Sequence, residues 1–406
     1  MAKEMEKQNW NALFELTPRE EIFSRVNRFQ KSMAEKSVDL VLLVQNVDLF
    51  YFTGTIQNGF LFIPQEGEAV FFVLKDYARF IAESPLNCFR IHSIEDLPKV
   101  VHEHGLKGKR VGMEFDVIPV SLFDRVRGLF PEWEISSISE EIREIRSIKS
   151  DFEITQIRKS GEMITKVFSS VEDYLREGMT ELELDGILTS IGRAMGHQGF
   201  LRMRGLNQEM MNIHVLSGES GSVISYCDTP LYGYGFTPAV AQGSSGRRIE
   251  RDEPVLIDYG GGYNGYTTDE TRVFVLGRLK EKLEKACQVA LEILAETESW
   301  AKAGELPSRI YTQAVERATR EGFGDNFMGY GEGKVAFVGH GMGLEINEFP
   351  IISRRDRRPL QLGMVIAIEP KFVFPGEGAV GIEVDYIVRE RGLERVTRFP
   401  KEVISL

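Results

Sequence analysis

The segment VLIDYGGGYNGYTTDETRVFVLG (255–277) constrains the fold of this chain more than any other. Two β-like runs flank Asn264-Gly265, the strongest short hairpin signal, because both residues tolerate the positive φ of a tight two-residue turn. A turn on that pair puts Asp258 near Thr271 and Asp269 near Gly260. The two aspartates then become diagonal cross-strand neighbours on one face, roughly 7–8 Å apart at the backbone. Side chains at that separation reach a common point. Apolar residues bracket them, VLI before Asp258 and VFV beyond Asp269, which disfavours a merely solvated hairpin face.

The arrangement recurs in MVIAIEPKFVFPGEGAVGIEVDYIV (364–388). One strand ends in Glu369, Pro375-Gly376 signals a turn, and the returning strand carries Glu383. Four converging carboxylates repel one another strongly unless cations accompany them. FVGHGMGLEINEFP (337–350) places His340, one of six histidines, among glycines that allow close backbone approach. Four carboxylates and an imidazole suit two divalent ions of the Mn, Co, Fe or Zn kind. Such a pair activates a hydroxide and polarises a carbonyl or phosphoryl group.

Competing chemistries find less support. Gly260-Gly261-Gly262-Tyr263-Asn264-Gly265 satisfies G-x-G-x-x-G, but the dinucleotide fingerprint needs a helix next, and YTTDETRVFVLG is β-like. Neither G-x-S-x-G nor H-E-x-x-H occurs. The net charge is −12 with no basic block, which argues against sequence-independent nucleic-acid binding. Cys88, Cys227 and Cys287 form neither a disulfide framework nor a CxxC knuckle, pointing to a reducing, cytoplasmic setting. The charged opening MAKEMEKQNW lacks the apolar core of a secretion signal, and no run approaches the roughly 18 apolar residues of a membrane span.

Along the chain, Thr17-Pro18-Arg19-Glu20 reads as a capping box with proline at the first helical position, opening a helix to about Lys36. β-like runs follow at 38–44, 59–64, 69–74 and 110–115, with helical patterns between some of them. The charged segment EEIREIRSIKS (140–150) reads as a linker. Beyond it, Ser150-x-x-Glu153 and Thr180-x-x-Glu183 are capping boxes separated by Gly178, and a long helix is predicted from about Lys280 to Lys302. DTPLYGYGFTPAVAQGSSG (228–246) has neither helical nor strand period, which in a compact domain marks a functional or disordered loop. The expected fold is α/β (α+β): an α/β domain over 1–145 and a second domain over 146–406.

At these positions the chain resembles the pita-bread metallopeptidase family of aminopeptidase P, prolidase, methionine aminopeptidase and creatinase. RVNRFQKSMAEKSVDLVLLVQNVDLFYFTG is similar to a creatinase-type N-terminal domain, and RSIKSDFEITQIRKSGE to the entry helix of the catalytic domain. D-x-G-(x)8-D-x-T-R, H-G-x-G-L-E-x-x-E-x-P and G-M-V-x-x-I-E-P with a later I-E match in order and spacing. The resemblance implies a catalytic domain with a curved antiparallel sheet backed by helices, its metal site in the concave face. It implies metal ligation by Asp258, Asp269, His340, Glu369 and Glu383, Glu369 as general base, a small peptide substrate and a homodimer.

The departures fall around the substrate. Where the peptidases carry a second histidine seven residues after the ligand histidine, this chain has Asn347. The position of another family histidine falls on Ser225 or Tyr226, and the arginine often found just before the last ligand is replaced by Gly381. Asn347, Ser225, Tyr226 and His214 are the candidates left to bind substrate, with Asn347 and Tyr226 as helpers at the oxyanion. The stretch 228–246 is a candidate lid, and Arg354, Arg355, Arg357 and Arg358 are candidates for a substrate carboxylate. The resemblance implies a two-metal hydrolase cleaving the Xaa-Pro bond of dipeptides or peptide N-termini. Its rivals are a same-fold metal-dependent enzyme acting on a non-peptide small molecule, which the missing histidines favour, and a metal-binding protein without turnover.

Overall fold

The computed structural model describes residues 14–224 and 226–406, which fall into two compact units divided between Ile145 and Arg146. In the first unit six strands, β1 (Leu40–Leu43), β2 (Gly59–Pro64), β3 (Val70–Val73), β4 (Asn87–Arg90), β5 (Arg110–Met113) and β6 (Glu134–Ser137), form a mixed sheet in the order β4-β3-β2-β1-β5-β6. The LVLL run of β1 is buried throughout, as a central strand covered on both faces must be. Helices α1 (Arg19–Glu35), α2 (Asn46–Thr53), α3 (Tyr77–Glu83), α4 (Leu97–Glu103) and α5 (Val120–Leu129) complete the α/β unit. The cap of α1 differs from expectation. Pro18 itself takes the N-cap position and no side chain caps the helix; the buried Thr17 hydroxyl lies one residue too early to do so.

The segment expected to be a linker is ordered. Ser139–Ser147 forms helix α6, and Arg146 and Lys149 are buried rather than solvated. Arg146 pairs with Glu345 at 2.8 Å and Glu348 at 2.5 Å, and Lys149 Nζ lies 3.0 Å from Glu348. Charge density marked this segment as a linker, but its cations meet acids supplied two hundred residues later.

The second unit opens with α7 (Asp151–Tyr174) and α8 (Glu181–Ala194), whose capping boxes at Ser150/Glu153 and Thr180/Glu183 are both formed. A four-stranded sheet runs β17-β9-β8-β7, built from β7 (Ile213–Ser217), β8 (Val255–Tyr263), β9 (Tyr266–Val275) and β17 (Ile404–Ser405). A five-stranded sheet runs β11-β10-β12-β15-β16, from β10 (Phe337–Gly341), β11 (Glu348–Ser353), β12 (Val365–Ile368), β15 (Val384–Arg389) and β16 (Gly392–Arg395). Between β12 and β15 a ribbon of β13 (Lys371–Phe374) and β14 (Gly378–Gly381) extends the chain. The two sheets join where Glu383 N donates to Thr271 O and Asp269 N to Asp385.

Helices cover one face of each sheet. Ile164, Val167 and Phe168 of α7 and Leu188 of α8 pack on Val215, Ile257, Tyr259 and Phe274. From α9 (Glu281–Trp300) and α10 (Pro307–Arg320), Leu283, Ala290, Ile310 and Ala314 pack with Val338, Ile352, Ile366 and Val384. Strand alternation therefore sends Ile257 and Tyr259 to the helices and the intervening Asp258 to the opposite face. No helix among the described residues is long and apolar enough to cross a membrane.

Burial alone would raise the Glu348 carboxyl, but Arg146 and Lys149 outweigh it and hold it at about 2, against an ordinary 4.5. A depressed carboxylate stabilises the fold above its unfolded value and loses that contribution as pH falls through its folded value. Glu348→Gln is expected to lower unfolding free energy by roughly 3–5 kcal/mol at pH 7. In urea titrations the gap from wild type should shrink between pH 4.5 and 2; a gap independent of pH would contradict the pairing.

Candidate metal centre

The Asn264-Gly265 turn forms with both residues at positive φ, 49° and 87°. The register is the one expected: Asp258 pairs with Thr271 and Gly260 with Asp269. On the other side of β8, His214 of β7 pairs with Asp258. The second acid pair arises less simply. Ile368 pairs with Val384 and Lys371 with Gly381, so Glu369 and Glu383 face each other where the hairpin leaves the five-stranded sheet for the ribbon. Pro370 lacks the N–H that would continue the ladder; its carbonyl accepts from Ile382 N at 3.2 Å. His340 stands in β10 between two close backbone approaches. A Cβ at Gly339 would meet Ala367 O at 2.1 Å, and one at Gly341 would meet Phe349 O at 2.0 Å.

Asp258, Asp269, Glu369 and Glu383 are all buried, and with them a residue that sequence reasoning passed over, Lys371. Its Nζ lies 2.7 Å from Glu383 Oε2, 2.8 Å from Glu369 Oε2 and 3.5 Å from Asp258 Oδ2. The remaining oxygens gather around His340. From its Nε2, Glu383 Oε1 is 3.7 Å away, Glu369 Oε1 3.8 Å and Asp269 Oδ2 4.0 Å. Asp269, His340 and Glu383 each offer a ligand atom within 4.8 Å of the others, close enough to hold one divalent ion. Buried Asp258 Oδ1, Asp269 Oδ1 and Glu383 Oε1 have no hydrogen-bond partner among the described residues, a costly state that a cation relieves.

The charges divide accordingly. Burial pushes the Asp269 carboxyl well above its ordinary value, and Glu383 and Asp258 add to the push. Glu383 is driven up to about 8 by burial despite Lys371. For Asp258 burial is outweighed by Lys371 and His214, leaving it below its ordinary value. Burial would lower the Lys371 ammonium, but Asp258, Glu369 and Glu383 outweigh that and keep it charged.

Neighbouring residues hold the acids in place. Thr271 Oγ1 donates to Glu383 Oε2 at 3.0 Å. Arg272, fully buried, donates from Nη1 to the carbonyls of Thr271 and Glu383, both at 2.8 Å, and from Nε to Pro400 O at 2.6 Å. Asp385 Oδ2 accepts from Asp269 N at 2.8 Å. His197 accepts from Gly199 N at Nδ1, which leaves Nε2 to donate to Gly260 O at 2.9 Å and anchor the strand between the two aspartates.

The candidates for the substrate shell scatter. Asn347 clips the backbone of Arg204, accepting from its N at 2.8 Å and donating to its O at 3.0 Å. Tyr226 is 59% exposed, and its hydroxyl accepts from Gln242 Nε2 at 3.3 Å. His214 is buried beside Asp258, and its Nε2 has no partner among the described residues. Ser225 lies outside the described residues. The 228–246 stretch is anchored at its far end, where Ser244 and Ser245 donate to Asp185 and Glu181 of α8, while Tyr234 and Phe236 stay exposed. Arg358 is held by Asp356 at 3.0 Å; Arg354, Arg355 and Arg357 are exposed.

An α/β unit preceding a helix-backed curved sheet, with buried carboxylates and an imidazole gathered at the junction of its strands, defines a metal-dependent hydrolase. Comparison with known proteins agrees. The model of metallopeptidase family M24 matches residues 155–390, and that of the Creatinase/Prolidase N-terminal domain matches residues 25–148. The chain belongs to metallopeptidase family M24. It is 28% identical over 383 residues to the Xaa-Pro dipeptidase of Pyrococcus furiosus, covering 94% of this chain and 99% of that one. The solved Xaa-Pro dipeptidase from Bacillus anthracis superposes with a TM-score of 0.81 at 25% identity, over 95% of this chain and 100% of that one. The X-Pro aminopeptidase from Thermotoga maritima, at 24% identity, a TM-score of 0.78 and coverage of 94% and 99%, shares the fold.

Asn347→Ala should cost about 1–2 kcal/mol of stability through the two lost hydrogen bonds and speed amide exchange at Arg204. Unchanged exchange there, with activity abolished, would instead place Asn347 against the substrate.

Proposed function

We propose that the protein is a metal-dependent peptidase that cleaves the bond before proline, in Xaa-Pro dipeptides or at the N-termini of Xaa-Pro peptides. One observation carries this reading: oxygens of Asp269, Glu369 and Glu383 ring His340 Nε2 within 4.0 Å, in a chain that aligns end to end with Xaa-Pro dipeptidases. Asp269, His340 and Glu383 would hold a divalent ion of the Mn, Co, Fe or Zn kind, which would supply Lewis acidity and lower the pKa of a water. A two-ion centre, as the family resemblance implies, would also need the Asp258 and Glu369 oxygens that face Lys371.

The protein's own groups divide the remaining work. Lys371 fixes Glu369 through Oε2, so that Oε1, on the His340 side, is the oxygen placed to take a proton and return it to the leaving nitrogen. Arg272 and Thr271 fix Glu383. Asn347 acts by holding the Arg204 backbone, and Tyr226 with the exposed Tyr234 and Phe236 forms a wall for the residue before proline. A non-peptide amide is the second reading, favoured by the absence of histidine at positions 225, 226 and 347.

Protein stripped by chelator and reloaded with Mn²⁺ or Co²⁺ should release proline from a panel of Xaa-Pro dipeptides and longer peptides. Asp269→Asn should reduce that release by more than the roughly 10–100-fold that loss of an outer-shell partner costs. Metal-loaded protein that releases no proline from any of them would overturn the peptidase reading in favour of the non-peptide amide.

A further inference from the structure

We propose that the Lys371 ammonium is a built-in second cation, so that this protein takes a single divalent ion where its carboxylates are laid out for a pair. The proposal rests on the metal-dependent reading above and deepens it.

The oxygens show the layout. Glu369 and Glu383 each bridge two positions, turning Oε2 to Lys371 Nζ at 2.8 and 2.7 Å and Oε1 towards His340 Nε2 at 3.8 and 3.7 Å. The aspartates divide between the same positions, Asp258 Oδ2 at 3.5 Å from Lys371 and Asp269 Oδ2 at 4.0 Å from His340. Two carboxylates shared between the positions, with one aspartate on each side, would suit two cations. An ammonium fills one of the positions, donating to Glu369 and Glu383 and pairing with Asp258 at 3.5 Å. The other position keeps the His340 imidazole and the unpartnered Asp269 Oδ1 and Glu383 Oε1, while Asp258 keeps one unpartnered oxygen, Oδ1, beside the one that faces Lys371.

Lys371 is built into its place. Its carbonyl accepts from Met328 N at 2.9 Å, and its strand partner is Gly381. A Cβ at Gly381 would come within 2.5 Å of Pro370 O, 2.7 Å of Lys371 Cα and 3.1 Å of its Cγ, so the glycine lets the strand carrying Lys371 approach closely. The side chain is 2% exposed, and every charged partner recorded for its ammonium is a carboxylate of the cluster. A second divalent ion would have to displace it from a buried position. A lysine has no vacant orbital for water or a carbonyl oxygen, so Lewis acidity falls to the one ion beside His340, while Lys371 contributes charge and holds Glu369 and Glu383 in position.

The test is a metal count on the full chain. Apo-protein dialysed against excess MnCl₂ and desalted is analysed by inductively coupled plasma mass spectrometry and by electron paramagnetic resonance. Wild type should hold about one Mn²⁺ per chain with the six-line spectrum of an isolated ion, and Lys371→Gly about two with an exchange-coupled spectrum, as for the ion pairs of two-metal sites. Two ions with a coupled spectrum in wild type would overturn the proposal and leave the peptidase reading intact. No bound ion in wild type would overturn both. Should Lys371→Gly fail to fold, the wild-type count and spectrum still decide, because they differ between the two cases without any variant.

Discussion

Four carboxylates buried within reach of one another are the constraint on which the rest of the catalytic unit depends. Each loses its hydration and each repels the others, so the cluster persists only with positive charge inside it and rigid backbone around it. Both are supplied by elements far apart in the sequence. Lys371 provides the charge from within the cluster. The backbone is held by Arg272, which ties β9 to the Glu383 carbonyl, and by Asp385, which receives the Asp269 amide.

The same logic appears away from the cluster. Glu348 is buried with Arg146 and Lys149, and its Oε1 also accepts from the amides of Leu344 and Glu345. That network fixes the turn after β10, the strand carrying His340. Asn347 lies inside this turn and clasps Arg204. Ionic and amide contacts thus set the walls of the site, whereas the helices α7 to α10 hold the sheets from behind through aliphatic packing.

Much of this was legible in the sequence because local rules dominate there. Asn264-Gly265 admits one tight turn, and that turn sets the whole β8/β9 register, bringing Asp258 and Asp269 to one face. The capping boxes at Ser150 and Thr180 depend on four residues each and form as read. What was missed depends on partners remote in sequence. EEIREIRSIKS looked like a linker because its charges had no visible partners; Glu345 and Glu348 are those partners. Asn347 looked like a stand-in for a histidine, yet its amide answers a backbone segment near position 204. Lys371 left one signal, a lysine opening the apolar strand KFVF two residues after Glu369. Gly381 stands opposite it on β14.

The central claim, that this carboxylate cluster is balanced by Lys371 and a single divalent ion, is tested most directly by anomalous diffraction from Mn²⁺-loaded crystals. The account predicts one anomalous peak, among Asp269, His340 and Glu383, with Lys371 Nζ still in hydrogen-bond contact with Glu369 and Glu383. Two peaks bridged by those glutamates, with the lysine turned away, would contradict it.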